Sequence, residues 1–145
     1  MLDLMDFAGQ WRVERQIRDA NGPDAVFGGT ATFTPDDAGL RLQESGELRL
    51  IGQGAFQAQR AYLWRQCGSL IAVMFDDGRD FHLFDPAHRI AHADHWCDPD
   101  TYKVRYDFSG WPRWQAQWQV NGPRKAYSMQ SVYSPLQVSG LSDNP

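Results

Sequence analysis

Trp114-Gln115-Ala116-Gln117-Trp118-Gln119-Val120 puts two indoles, an alanine and a valine on one side of an extended chain and three glutamines on the other. Successive side chains of a strand point to opposite faces, so a strict period of two marks a strand with one face in a core and one in water. The same alternation spreads outward from this stretch. Asn121-Gly122-Pro123 turns the chain into a closing strand at 126–133, and strands at 102–108 and 90–97 precede it. Asp76-Asp77-Gly78-Arg79 reads as a hairpin turn between an apolar run at 70–75 and a strand at 81–84. Earlier still, Phe56, Ala58, Arg60, Tyr62 and Trp64 share a face, as do Leu40, Leu42, Glu44, Gly46, Leu48 and Leu50. Val26–Thr34 is a further strand, in which Gly28 and Gly29 suggest a bend or a close backbone approach. Trp11, Val13, Arg15 and Ile17 alternate in the first strand. Only 2–7 has room for a helical turn, placed as a lid or plug.

Nine or ten short strands need their edges hidden, and a closed antiparallel up-and-down barrel does this outright, with a sandwich as the alternative. The expected organisation is one all-β barrel over residues 1–134 and a polar, poorly ordered tail over 135–145. The chain of 145 residues is 42% hydrophobic, enough for one core. Its 14 basic and 18 acidic residues give a net charge of -4, with no basic run, which argues against nucleic acid as the principal partner. Cys67 and Cys97 cannot make a disulfide framework and read as thiols in a reducing compartment. The N-terminal stretch lacks a signal-peptide pattern, and no segment reaches the roughly 20 apolar residues of a membrane span. A cytoplasmic location is the expectation.

Phe7-Ala8-Gly9-Gln10-Trp11 resembles the Phe/Tyr-x-Gly-x-Trp signature of the calycins, the small β-barrels that include lipocalins and fatty-acid-binding proteins. The resemblance implies that Trp11 closes the barrel base beneath an Arg near the final strand, a role that falls on Arg124. His95-Trp96-Cys97, Asp100-Thr101-Tyr102 and Gly122-Pro123-Arg124-Lys125 resemble stretches of an uncharacterised calycin-like family, which implies a fold and no activity. The chain lacks the disulfides of lipocalins and the helix pair that lids fatty-acid-binding proteins.

By parity Arg15 and Arg60 point inward, and a buried guanidinium stays ionised and must find an acceptor. Glu44, also inward, can supply it as an internal ion pair. A ligand carboxylate is the other acceptor, and a bulge would reverse any of these parities. His82, His95 and Cys97 form the most conspicuous polar cluster. No spacing among them is diagnostic of a metal or haem site, and neither metal nor cofactor is expected. They are read instead as lining a cavity, with His88 and His92 in solvent. Tyr62, Tyr106 and Trp118 belong to a dense aromatic set, with Trp64, Trp96, Trp111, Trp114, Tyr102 and Phe108, that fills the core and can wall a pocket. The leading expectation is a binding protein for a small apolar or amphipathic, anionic molecule, with a carboxylate as the candidate head group, held by Arg15, Glu44, Arg60, Tyr62, His82, His95, Cys97, Tyr106 and Trp118. The alternatives are an enzyme of the phenolic-acid-decarboxylase kind using an internal Arg, Glu and Tyr set, and an interaction module with a filled core.

Overall fold

The computed structural model describes residues 2–136. Ten strands follow one another: β1 (Gly9–Asp19), β2 (Ala25–Asp36), β3 (Gly39–Leu50), β4 (Gly54–Cys67), β5 (Leu70–Phe75), β6 (Asp80–Phe84), β7 (Ile90–Cys97), β8 (Asp100–Asp107), β9 (Trp114–Asn121) and β10 (Ala126–Pro135). Each pairs antiparallel with its chain neighbour except β6 with β7, and β1 also pairs with β10. The result is an up-and-down barrel rolled from one sheet, with a seam between β6 and β7 that no ladder crosses among the described residues. Side chains fill that seam, where the Phe81 ring meets the edges of His95 and Tyr102. All ten strands expected from periodicity are present. β10 runs to Pro135, and the Leu136 N–H donates to the Gln10 carbonyl at 3.2 Å. The rest of the expected tail, 137–145, lies outside the described residues.

One end of the barrel is solid. A 3-10 turn, Leu4–Phe7, is started by an Asp3 capping box, in which the Asp3 carboxylate accepts from Met5 N–H and Asp6 accepts from Asp3 N–H. It drives Phe7 into contact with the rings of Phe33, Trp64, Phe108, Trp111 and Trp114. This is the plug the sequence suggested.

Trp11 is buried there, and its indole N–H donates to the Phe7 carbonyl at 2.9 Å. Arg124 does not cover it. The turn that carries Arg124 precedes β10, and β10 runs antiparallel to β1, so Arg124 is exposed at the opposite end, beside the end of β1. Trp111, with its ring centroid 5.5 Å from that of Trp11, takes the expected place of the arginine.

Halfway up the wall Gly29 faces Gly46 across β2 and β3. A Cβ on Gly29 would run into the Ser45 carbonyl, and one on Gly46 into the Gly28 carbonyl. Side chains are excluded on both strands, which lets them bend together tightly just beyond Glu44. Gly28, its neighbour, faces open space.

Candidate functional site

Alternation brings Arg15 from β1, Glu44 from β3, Arg60 from β4, and Ser131 and Tyr133 from β10 to one level of the interior. Glu44 is 1% exposed and accepts four hydrogen bonds. Its Oε1 takes Arg15 Nη1 at 3.0 Å and Arg60 Nε at 2.7 Å, and its Oε2 takes Arg15 Nη2 at 3.0 Å and the Tyr133 hydroxyl at 2.6 Å. Those four bonds use the full accepting capacity of a carboxylate. Arg15 is equally committed: its Nε donates to Ser131 Oγ at 2.6 Å, its Nη2 also reaches the Tyr133 oxygen at 3.1 Å, and its plane lies over Phe27. The internal ion pair weighed from the sequence is therefore present, shared between two arginines.

Arg60 differs from Arg15. Its side chain is 34% exposed, it rests on the Tyr62 ring, and only its Nε is engaged among the described residues. Two guanidiniums around one carboxylate leave a net positive charge, and the unengaged donors belong to Arg60.

Below Arg60 lies a hollow of about 30 Å³ walled by Tyr62, Trp64, His82, Tyr106, Trp114 and Trp118. On its mouth side Arg60 also borders a second hollow, about 160 Å³, lined by Ile17, Phe27, Leu48, Ala58 and Met129. A broader depression of about 640 Å³ on the outer face, around Gln16, Lys103, Gln117 and Gln130, is solvated polar surface.

His82 Nε2 and the Tyr106 hydroxyl are 2.8 Å apart, both buried. His82 and the preceding Phe81 are buried consecutively because the β5–β6 register slips: Val73 faces His82 while Met74 faces Asp80, making Phe81 the extra residue of a bulge. The Phe81 ring lies against both His82 and His95, which separates the two imidazoles. Cys97 is exposed at the end of β7 and lines neither hollow, and Trp96 beside it is 63% exposed. His82, His95 and Cys97 do not converge, and the expected lining of the cavity by His95 and Cys97 is not seen in either hollow. Among the described residues no group of three or more His, Cys, Asp or Glu side chains is placed to hold a metal ion. His88 and His92 are exposed, as expected. Periodicity missed Ser131 and Tyr133, although they share a face with Met129 on β10.

Burial pushes the Glu44 carboxyl up, but the Arg60 and Arg15 charges and their hydrogen bonds outweigh it and hold it down to about 2. Burial, then the nearby His95, lowers His82 to about 3, so the imidazole is neutral. Burial also raises the phenols of Tyr106 and Tyr133. Both Glu44 and His82 have folded pKa values below their usual 4.5 and 6.5, so on acidification the unfolded chain takes up protons first. The contribution of His82 is complete above about pH 6.5 and fades toward pH 3, and that of Glu44 is complete above about pH 4.5 and fades toward pH 2. Urea unfolding should therefore show stability falling as pH drops below neutrality, by up to about 1.4 kcal/mol per pH unit for each group. His82→Phe should flatten only the upper limb of that profile. A wild-type profile that is level from about pH 7 to about pH 5 contradicts a buried neutral imidazole.

Fold and interior define a class: an up-and-down β-barrel, consistent with a calycin-like one, with a charged and partly hollow interior. Residues 7–135 match the family described as "Family of unknown function (DUF6314)", and the chain belongs to that family. Among curated proteins none matches it. Two solved structures share the fold. One is the S-type phycobiliprotein lyase CPES from Guillardia theta, at 9% identity and TM-score 0.63, covering 92% of this chain and 90% of that one. The other is a protein of unknown function from the DUF3598 family of Nostoc punctiforme, at 15% identity and TM-score 0.54, covering 94% of this chain. This chain spans 50% of the length of the Nostoc protein. Among the described residues no helix is long and apolar enough to cross a membrane.

Proposed function

We propose that the protein is a calycin-like binding barrel that holds a small amphipathic anion, with the acid group on Arg60 and the apolar body in the mouth-side hollow. One observation carries this reading: in an interior where Glu44 and Arg15 are saturated, Arg60 keeps its η nitrogens without partners among the described residues and brings the unbalanced charge. A partly desolvated guanidinium prefers a bidentate anion, and the apolar lining beside it favours a hydrocarbon body. Arg15, the other anchor candidate, has no donor nitrogen left over. Tyr62, Tyr106, His82 and Trp118 serve as walls, and His95 belongs to the aromatic cluster at the seam. The barrel of the Guillardia lyase lends the fold alone. Two exposed free thiols support a reducing, cytoplasmic setting.

The catalytic alternative needs Glu44 to move a proton, and this carboxylate is ionised and has no free lone pair. The test is calorimetric titration with straight-chain and phenyl-substituted monocarboxylates and their primary amides. Wild type should bind at least one acid, and Arg60→Met should weaken it by about tenfold or more, the worth of a charged hydrogen bond. The amides should bind both proteins equally. Arg60→Met leaves Glu44 paired with Arg15 and Tyr133, so the barrel keeps its cluster. Absence of acid binding, or an equal loss for acids and amides, refutes the reading.

A further inference from the structure

β4 has a strand on both sides for only part of its length. β3 pairs with residues 54–65 of it, whereas β5 pairs with 62–67 alone. Over 54–61 the edge turned away from β3 has no strand and no turn bonded to it among the described residues. A bare edge is a template for another strand, and folded proteins usually guard one with charges, a proline or a bulge. Here Gly-Ala-Phe-Gln-Ala-Gln-Arg-Ala holds a single charge, that of Arg60, and no proline. Residues 54–57 and Gln59 are exposed, with Phe56 at 52%. The other edges differ. β6 and β7 face each other across the seam with rings between them, and the end of β7 carries Asp94 and runs into Asp98-Pro99.

A second copy of this chain fits the bare edge, and the two ends of that edge set the fit. One end is the hairpin turn at 51–53, and the other is the point where β5 joins. Parallel pairing would bring both β5 strands to one level, two strands in the gap of about 4.8 Å that holds one. Antiparallel pairing about a two-fold axis carries each β5 past the hairpin turn of the other copy, where Gly52 and Gly54 face open space. Residues directly opposite in such a pair share a face, so the axis passes through a residue and not between two. With the axis at Ala58 the paired run is 55–61 in both copies, which uses the edge from the turn to β5. On the outer face Gln57 of one copy then lies opposite Gln59 of the other, and a carboxamide both donates and accepts. Gln59 Oε1 already accepts from Gln43 Nε2 at 3.1 Å, which leaves its amide N–H groups for Gln57. On the inner face Phe56 of one copy lies opposite Arg60 of the other, a pairing in which ring and guanidinium attract. The two arginines are then four residues out of step, about 14 Å, which exceeds the screening length of about 8 Å at physiological salt.

We propose that the protein self-associates through this edge, β4 of two copies pairing antiparallel about a two-fold axis at Ala58 and joining two barrels into one sheet. Each copy thereby sets its Phe56 beside the Arg60 of the other. The pairing does not depend on what Arg60 binds.

Seven paired residues make a small interface, so the full chain is followed by sedimentation velocity from about 5 to about 500 µM. Wild type should pass from monomer to dimer over that range. Gln57→Lys with Gln59→Lys opposes like charges twice across the axis and should weaken the dimer by about tenfold or more. Gln57→Glu with Gln59→Lys opposes unlike charges and should restore it. Both side chains are exposed on the outer face, so the barrel itself is unaffected, which circular dichroism verifies. Register is read in a Cys67→Ser, Cys97→Ser background. There Ala58→Cys lies on the axis, within the roughly 4.4–6.8 Å Cα separation that a disulfide spans, and should cross-link to itself on oxidation with diamide. Ala61→Cys, opposite Ala55, should not. A chain that stays monomeric throughout overturns the proposal, because the edge then stays bare or takes a different protein. A dimer indifferent to both charge changes also overturns it, because the copies then meet on another face. Self-cross-linking at Ala61→Cys in place of Ala58→Cys moves the axis and refutes this pairing.

Discussion

Replacing Glu44 by glutamine is expected to cost about 3–5 kcal/mol of folding stability, because it leaves the guanidiniums of Arg15 and Arg60 facing each other without their shared counter-charge. The carboxylate is 1% exposed and Arg15 is 5% exposed, so water cannot take over the bonds that Arg15 loses without opening the barrel. The cost comes from orphaning the partners more than from losing attraction, since the charges were already expensive to bury. A corollary separates the two effects. Replacing the whole cluster, with Glu44→Leu, Arg15→Met and Arg60→Met together, should recover most of the loss and also abolish acid binding. Urea unfolding of the single and triple variants measures both. A loss below about 1 kcal/mol for Glu44→Gln is the value of an exposed pair and is incompatible with a buried cluster.

Trp11→Ala should be about as damaging, at about 3–5 kcal/mol, the usual cost of emptying a site filled by a large ring. Trp11 is 5% exposed and lies against Trp111 and Trp114, and its N–H holds the Phe7 carbonyl. Removing it loosens the 3-10 turn as well as leaving a cavity. Trp11→Phe keeps much of the apolar volume and forfeits the hydrogen bond, so its cost should be nearer 1–2 kcal/mol. Thermal unfolding followed by circular dichroism distinguishes the two variants, and a midpoint within a few degrees of wild type for Trp11→Ala would mean that the plug does not hold the base.

Most of the wall was legible because the period of two is a local property. Arg15, Glu44 and Arg60 each take their direction from immediate neighbours, and 114–120 needs no partner to declare its faces. Less legible was anything decided across the barrel. Tyr133 and Ser131 join the cluster because β10 closes on β1, a pairing that lies more than a hundred residues apart in the chain. Arg124 was misplaced for the same reason: proximity in sequence to the last strand does not say which end of that strand meets Trp11. The bulge at Phe81 escaped notice because a tight Asp-Gly turn hides the extra residue, and it alone brings two consecutive side chains inside. Cys97 and Trp96 were given to the interior on residue type, and the strand end leaves them in water.

The open seam between β6 and β7 determines how compliant this molecule is. Around the rest of the circumference an increase in girth stretches rows of backbone hydrogen bonds, which yield together or not at all. At the seam the resistance comes from ring edges, Phe81 against His95 and Tyr102, and such contacts contribute only about 0.5–1.5 kcal/mol each beyond their buried area. Strain anywhere in the wall is therefore relieved at one line. That line borders the inner hollow, since Phe81 and His82 of β6 both face it. The interior is elastic along one direction and stiff along the others, and its volume can be adjusted while all nine of the other strand pairings stay in register.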